Sequence, residues 1–192
     1  MLGGYDGGRE RRSVFAYRPG DGGWRRLAPL PRPTHAFGAV AFSGGKELRS
    51  VYVYDPASDS WSESTPMPIP NHTFGAAEFQ GGIWTFGGRR GEKTLRDVWI
   101  FDPATEEWKA GPEMPKPMEL NGTAAYGSDI HTVWEHTYQV YDARSGRWRQ
   151  GPSPKMPRHA LSLLSLGGRL YAVGGCVTPQ LVDSQAVETR PL

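Results

Sequence analysis

Four times along the chain, an aromatic residue that ends a short apolar run is followed seven residues later by tryptophan. The windows VFAYRPGDGGW, VYVYDPASDSW, VWIFDPATEEW and YQVYDARSGRW end at Trp24, Trp61, Trp108 and Trp148, which lie 37, 47 and 40 residues apart. This recurrence indicates one supersecondary unit copied in tandem, because each copy can bury its apolar face only against a neighbour. Function is therefore expected on a surface that several copies build together.

Glycine and proline interrupt the chain too often for long helices. The sequence carries 25 glycines and 17 prolines among 192 residues, set between short apolar runs. This pattern predicts an all-β chain, because turns break any helix before it outgrows its nucleation cost. The third unit shows it most completely, with strands predicted at 72–79, 83–86 and 98–101, a polar loop at 89–97, a turn at 102–105 and a fourth strand through Trp108. Four antiparallel strands per copy make one propeller blade.

Several short motifs resemble the kelch repeat. They are IWTFGG, VWIFDP, EEW and EMP in the third unit, LYAVGG near the C-terminus, and VYVYDP, SDSW and PMP in the second unit. The resemblance implies a kelch β-propeller of about four to five blades in a single domain over residues 1–192. The repeat units are predicted at about 1–33, 34–70, 71–118, 119–158 and 159–192.

The repeats also depart from the family pattern. The second unit lacks a complete glycine-terminated strand before ELRSVYVYDP, and the fourth has IHTVWEH where a double glycine should stand, leaving little room for its outer loop. The first unit keeps only residues 1–4 of its second strand, and the last stops at QAVETRPL. The propeller is therefore expected to be incomplete or irregular.

Two alternatives follow for the ring. Either the strand at Trp24 completes the last blade and closes a small ring of about four, or the chain is a truncated or spliced fragment, which we favour. An unclosed arc would expose strand edges and apolar blade faces, and these invite self-association. A non-functional truncated product that does not fold stably is a further alternative.

Composition bounds the compartment and the partners. The net charge of +2 is too small to indicate a nucleic-acid partner, and no apolar stretch reaches the length that spans a bilayer. The single cysteine, Cys176, excludes an internal disulfide. Since no charged and apolar leader follows Met1, a cytoplasmic location is expected.

Strand alternation predicts which face recognises a partner. The loops between strands two and three lie on the same side as the corners between strand four and the next strand one. In the kelch adaptors of ubiquitin ligases, an arginine shortly after Met-Pro at this corner often contacts an acidic peptide, and only Arg158 keeps that charge here. The predicted binding residues are the matching corner positions Thr34, Asn71, Met118 and Arg158, the corner histidines His35, His72 and His159, and the basic loop residues Arg89, Arg90, Lys93 and Arg96.

The resemblance implies a protein or peptide partner, bound by a module that is not an enzyme. It suggests substrate recognition for a cullin-type ubiquitin ligase in a full-length parent, as in BTB-kelch adaptors. Guanidinium groups suit carboxylates, so a mildly acidic partner is expected. The alternative for the same side chains is a set of solvated loop charges.

An enzyme is the rival from another class, of the metal oxidase or sugar-isomerase kind found on kelch propellers. Three corner histidines converging on one axis would resemble a zinc or copper site. No fourth ligand is evident, and nothing near Cys176 identifies the crosslinked tyrosine that an oxidase needs. No metal and no cofactor are therefore expected.

Overall fold

The computed structural model describes residues 8–9, 11–18, 20, 22–33, 42–43, 46–177 and 182–192. Every regular element in these ranges is a β-strand, and the strands pair antiparallel, which confirms the predicted all-β fold. The chain divides into two compact units, Met1–His72 and Thr73–Leu192. Within the described ranges, no helix combines the length and the apolar character needed to cross a bilayer.

In the first compact unit, Met1–His72, the described residues form three hairpins. In chain order they are β1 (Val14–Tyr17) with β2 (Trp24–Leu27), β3 (Phe42–Ser43) with β4 (Lys46–Glu47), and β5 (Val51–Asp55) with β6 (Ser60–Ser64).

The second unit opens with two four-stranded sheets. The first has the order β12-β11-β8-β7, and a short hairpin of β9 and β10 lies in the connection between β8 and β11. The second has the order β13-β14-β15-β16. The bounds are β7 (Gly75–Phe79), β8 (Gly82–Phe86), β9 (Arg89–Arg90), β10 (Lys93–Thr94), β11 (Val98–Asp102), β12 (Glu107–Ala110), β13 (Gly122–Tyr126), β14 (Asp129–Trp134), β15 (Thr137–Asp142) and β16 (Arg147–Gln150).

The last part of the second unit forms two three-stranded sheets. Their orders are β17-β20-β21 and β18-β19-β22. The bounds are β17 (Arg158–His159), β18 (Ser162–Leu166), β19 (Arg169–Val173), β20 (Cys176–Val177), β21 (Val182–Asp183) and β22 (Val187–Pro191). Like the other sheets of the described chain, these two are open.

The predicted strands of the third repeat are confirmed to within a few residues at each end. The fourth repeat also forms a complete sheet, because β14 and β15 are joined by the two residues Glu135 and His136, with Glu135 at φ +50°. A tight turn therefore replaces the double glycine and leaves no room for a long outer loop.

An aspartate shapes the recurring turn between third and fourth strands. Ala57, Ala104 and Arg144 each donate their backbone N–H to the carboxylate of the aspartate two residues earlier, at 2.8 to 2.9 Å. The carboxylate thus replaces a backbone acceptor and fixes the bend. This turn sets the seven-residue spacing between the aromatic residue and the tryptophan.

The aromatic and tryptophan of each repeat face one another across this hairpin. Their ring centroids lie 5.0 to 5.4 Å apart with interplanar angles of 43 to 49° in all four repeats. The pairs are Tyr17–Trp24, Tyr54–Trp61, Phe101–Trp108 and Tyr141–Trp148, and each is a direct cross-strand register pair. Tilted aromatic pairs at this distance stabilise a hairpin beyond the area they bury.

Two of these tryptophans also tie a repeat to the one before it. The indole N–H of Trp148 donates to Pro112 O at 2.9 Å, and that of Trp61 donates to Ala28 O at 3.1 Å. In both cases the acceptor lies four residues after the preceding tryptophan of the series. Trp61 and Trp148 therefore each form a hydrogen bond with the preceding repeat.

The core of the second unit lies between successive sheets. One cluster joins the β7–β12 sheet to the β13–β16 sheet and includes Phe86, Met114, Met118 and Ile130. A second cluster joins the β13–β16 sheet to the β18–β19–β22 sheet. Each sheet therefore buries its faces against its neighbours in the chain, as tandem modules must.

Candidate partner-binding site

Two connections of the third repeat meet on one side of its sheet. Gly88 N donates to Met118 O at 2.8 Å, and Met118 N donates to Leu95 O at 3.0 Å. A Cβ on Gly87 would lie 2.2 Å from that Met118 oxygen, and Gly87 has φ +63°, so only glycine fits there. The β9–β10 hairpin and the corner after β12 therefore lie side by side and are hydrogen-bonded through the backbone. Strand alternation predicted that these two connections lie on the same side.

Side chains reinforce this junction. The Arg89 guanidinium lies 3.2 Å from a carboxylate oxygen of Glu119, and the Thr94 hydroxyl donates to the same oxygen at 3.3 Å. Arg89 Nε also donates to Gly91 O at 2.9 Å. Glu119 is largely buried, so water screens this pair less than a fully exposed one. We call residues 89–94 and 115–119 the corner–hairpin surface.

The neighbouring β13–β16 sheet also holds the corner in place. The buried Gln139 side chain accepts a hydrogen bond from Lys116 N at 2.9 Å and donates one to Lys116 O at 3.1 Å. This two-point contact holds the backbone of the corner against the β13–β16 sheet. The surface is therefore supported by two neighbouring sheets.

Two cations project from the tip of the hairpin. Arg90 and Lys93 are direct cross-strand partners, and both are exposed. Like charges directly opposite one another destabilise a strand pair. Glu92 lies in the turn between them and offsets part of this repulsion. A carboxylate placed over the two cations would relieve the rest.

The fourth basic residue of the loop lies outside this cluster. Arg96 forms an exposed ion pair with Glu113, with 3.0 Å between Nε and a carboxylate oxygen. Such a pair contributes little to stability because water and salt screen it. Half of the predicted loop cations thus already have carboxylate neighbours, which are Glu119 for Arg89 and Glu113 for Arg96.

The described side chains at the corner positions carried over from ligase adaptors are buried. Asn71, Met118 and Arg158 are 1%, 0% and 2% exposed, so their side chains pack inside the protein. Thr34 lies outside the described residues. Burial of three of these positions shifts the candidate surface to the hairpin and to the backbone of the corner.

Arg158 is the clearest case. Its guanidinium donates to the carbonyl oxygens of Gly174, Ala186 and Ala172 at 2.8 to 3.0 Å. A carboxylate oxygen of Glu188 lies 3.9 Å from a guanidinium nitrogen of Arg158. A planar fork of donors suits this convergence of carbonyls. Arg158 therefore ties β17 to the ends of β19 and β22.

Two of the three predicted corner histidines, His72 and His159, lie among the described residues. His72 and His159 fall in different compact units and are half-buried, and His35 lies outside the described residues. Over the described ranges, no group of three or more His, Cys, Asp or Glu side chains is placed to hold a metal ion.

A motif comparison identifies the repeats in part of the chain. The kelch motif model matches residues 42–68 and 70–115. The chain contains kelch repeats. The resemblance drawn from the double glycine, the spaced aromatics and Met-Pro is therefore confirmed.

Curated kelch relatives match short parts of the chain. Two F-box/kelch-repeat proteins of Arabidopsis thaliana are 38% identical over 52 residues and 42% identical over 36 residues, covering 27% and 19% of this chain. A kelch repeat and BTB domain-containing protein 13 of Mus musculus is 49% identical over 35 residues, or 18% of this chain. The matches span 18%, 10% and 8% of those relatives' lengths.

The sequence analysis did not identify two groups of polar residues in the compact unit Thr73–Leu192. Glu119 and Gln139 position the corner, although neither belongs to a kelch motif. A carboxylate shortly after the Met-Pro corner was a usable signal for Glu119. The second group is the buried pair of His131 and Tyr138, whose Nδ1 and hydroxyl oxygen lie 2.8 Å apart, and no local pattern marked it.

Proposed function

We propose that this kelch-repeat chain is a non-catalytic protein-binding module. Its corner–hairpin surface contacts a partner that presents a carboxylate side chain to Arg90 and Lys93. Kelch repeats serve generally as protein-interaction modules, and the two cations that lie opposite each other supply the charge preference.

The cross-strand pairing of Arg90 with Lys93 carries this proposal. The hairpin is only two residues long on each side, yet Glu119 and the Met118 backbone hold it in place. Rigid presentation lowers the entropy lost on binding, since fewer rotamers and loop conformations are frozen. The Arg90 guanidinium and the Lys93 ammonium group at one hairpin tip then favour an acidic residue of the partner.

We further propose that, within a longer polypeptide, the kelch repeats select substrates for a cullin-type ubiquitin ligase. The support is the pairing of kelch repeats with an F-box or a BTB domain in the names of the relatives. In this arrangement the kelch repeats recognise the substrate and another domain engages the ligase.

Quantitative affinity capture from cell extract tests the binding surface. The immobilised chain is compared with the double variant R90E/K93E and with the control K109E/R147E. The control reverses the same number of exposed charges on β12 and β16, away from the hairpin. We expect R90E/K93E to lose the captured partners and the control to retain them. Equal recovery with both variants would contradict the assigned surface.

The ligase assignment has a separate test. Proteins captured in a manner that depends on Arg90 and Lys93 are followed by quantitative proteomics while cullin neddylation is blocked. We expect at least some of them to accumulate. If none accumulates although the capture depends on the hairpin, the binding module stands and the ligase assignment fails.

A further inference from the structure

One cavity recurs at equivalent places in the two four-stranded sheets of the second unit. It has a volume of about 190 Å³ in the β7–β12 sheet and about 350 Å³ in the β13–β16 sheet. We call these the third-repeat cavity and the fourth-repeat cavity. Strand register shows that residues lining the two cavities correspond, so the cavity is a feature of the repeat. The corresponding pairs are Phe79 and Tyr126, Gly81 and Ser128, Gly82 and Asp129, Trp84 and His131, and Lys109 and Arg149.

The third-repeat cavity stays open beside a sheet that has all four of its strands. Its described lining residues all belong to the β7–β12 sheet and its turns, so the following β13–β16 sheet does not fill it. Trp148 of that following sheet packs against Phe86 instead, with 6.1 Å between the ring centroids. Most residues that line the fourth-repeat cavity likewise belong to the β13–β16 sheet and its turns. Each cavity is therefore built mainly by its own repeat.

The two cavities differ in charge. One lysine and one aspartate line the third-repeat cavity, so their charges balance. The fourth-repeat cavity is lined by three guanidinium groups, those of Arg144, Arg149 and Arg190. Asp129 is the one carboxylate side chain among its described lining residues. These side chains leave the fourth-repeat cavity with a net positive charge of two, which a dianion would balance.

Contacts with neighbouring side chains position two of these guanidinium groups. Arg149 donates to a carboxylate oxygen of Asp129 at 2.7 Å. The Arg190 guanidinium lies over the Tyr138 ring, 5.5 Å from its centroid. The third guanidinium belongs to Arg144, in the turn after β15. Arg144 and Arg190 are exposed, so a ligand that enters from solvent can reach them.

The buried His131 ring adds a polar atom that lacks a partner. Its Nδ1 lies 2.8 Å from the Tyr138 hydroxyl oxygen, and both residues line the fourth-repeat cavity. Within the described part of the chain, Nε2 of His131 has no hydrogen-bond partner, although the residue is only 3% exposed. When the Tyr138 hydroxyl donates to Nδ1, the ring proton is on Nε2, which is then a donor. A buried donor without an acceptor is unfavourable, so an anion oxygen in the cavity would satisfy it.

We propose that the fourth-repeat cavity binds a phosphate monoester, with the guanidinium groups of its wall and the Nε2–H of His131 as donors. A phosphate monoester carries nearly two negative charges at neutral pH and three terminal oxygens, which match the net charge and the donors of the cavity. A carboxylate offers one charge and two oxygens and matches them less well. Small phosphate monoesters and phosphorylated side chains of proteins share this chemistry. The site has no residue in common with the corner–hairpin surface, so it does not depend on the proposed function.

A labelled peptide tests the choice of ligand. The probe is fluorescein-Gly-Gly-phosphoserine-Gly-Gly, and two matched peptides carry serine or glutamate in place of phosphoserine. Fluorescence anisotropy with the full chain at constant ionic strength should show saturable binding of the probe, weakened by about tenfold or more for each matched peptide. Competition with inorganic phosphate and with the unlabelled phosphopeptide separates the two sources. Equal potency assigns a small free phosphate, whereas stronger competition by the peptide assigns a phosphorylated side chain, and either result supports the proposal.

Variants of the protein locate the site. The double variant R144Q/R190Q removes two positive charges from the cavity wall. The control R147Q/K155Q removes the same number of charges at exposed positions that do not line the cavity. We expect R144Q/R190Q to bind the probe about tenfold more weakly than the control. R90E/K93E should bind it normally, which separates this cavity from the corner–hairpin surface.

The His131 ring supplies a readout inside the cavity. In a chain labelled with ¹⁵N-histidine, the Nε2 resonance of His131 is identified by its absence in His131→Gln. We expect this resonance to shift when inorganic phosphate or the phosphopeptide saturates the protein, because Nε2–H then donates to a phosphate oxygen.

Several results would overturn the proposal. They are no saturable binding of the probe, equal binding of the glutamate peptide, or equal affinity of R144Q/R190Q and R147Q/K155Q when both unfold cooperatively. Saturable binding that leaves the His131 Nε2 resonance unchanged would place the phosphate elsewhere and would also overturn it.

Discussion

The His131 imidazole lies inside the β13–β16 sheet, where it is 3% exposed and contacts the Tyr138 hydroxyl. Burial lowers the pKa of His131 from 6.5 to about 4, and the guanidinium groups of Arg149 and Arg190 also lower it, whereas Asp129 raises it. The folded protein therefore holds this ring neutral at pH values where an unfolded chain protonates it.

This depressed pKa predicts acid sensitivity. Between pH 6.5 and 4 the unfolded state binds more protons at His131, so stability is full above pH 6.5 and falls as the pH drops, by about 3 kcal/mol in total. His131→Gln cannot take up a proton and should flatten the dependence in this window. Urea denaturation at pH 7.5, 6, 5 and 4 measures the difference between the two proteins. Parallel pH profiles would show that His131 is not the titrating group.

Arg158 makes a second prediction at the same scale. Its buried guanidinium group donates hydrogen bonds to three carbonyl oxygens, which a lysine ammonium group cannot reach together. Arg158→Lys should cost about 3 kcal/mol, because it leaves buried polar groups unpaired. Urea denaturation of R158K against Arg96→Lys, an exposed control, measures this cost. A loss no greater than that of the control would contradict the structural role of Arg158.

At the scale of elements, tight backbone contacts explain why the spacing of the repeat is fixed. Gly151 N donates to Tyr138 O at 2.9 Å, and Gly111 N donates to Val98 O at 2.8 Å in the preceding sheet. A Cβ on Gly151 would lie 2.2 Å from the Tyr138 ring. The chain leaving each fourth strand must therefore pass close to the start of the third.

This contact gives an element-scale prediction. Gly151→Ala should destabilise the second unit by about 1–3 kcal/mol, because the added methyl displaces Tyr138 from a packed position. Gly23→Ala is the control, since no atom lies within 4 Å of its added Cβ and its φ is not left-handed. Thermal unfolding followed by near-UV circular dichroism reports both variants. An unchanged midpoint for G151A would show that the ring has room to move.

Local sequence patterns were sufficient to predict the four long strands of the third repeat. Alternating apolar residues, the aspartate turn and the seven-residue aromatic spacing predicted β7, β8, β11 and β12, because neighbours in sequence decide these features. The loop at 89–97 was predicted as a plain polar connection. The structure shows in addition the β9–β10 hairpin. Contacts with Glu119 and Met118 hold this hairpin in place. Because these two residues lie far along the chain from the hairpin, the local sequence does not reveal them.

Burial of the corner positions was missed for the same reason. Met118 and Arg158 follow prolines in segments that read as exposed loops. Their side chains are buried because distant groups surround them, such as Gly174 and Ala186 for Arg158. A property set by tertiary contacts cannot be read from spacing along one repeat.

For the whole molecule, the compact unit Thr73–Leu192 places different chemistry at different edges. The corner–hairpin surface joins a connection between strands two and three to a corner. A cavity lined by Arg144, Arg149 and Arg190 lies beside the turns of the β13–β16 sheet. Because the described side chains of the two places share no contact, charge changes at these arginines should leave partner binding through Arg90 and Lys93 unchanged.

Amide hydrogen exchange with a partner recovered by affinity capture tests the central claim, that the kelch chain binds proteins through its corner–hairpin surface. Exchange should slow on binding at residues 87–96 and 115–120, and stay unchanged at the turns 103–106 and 143–146. Protection at those turns, with none in the hairpin, would contradict the account.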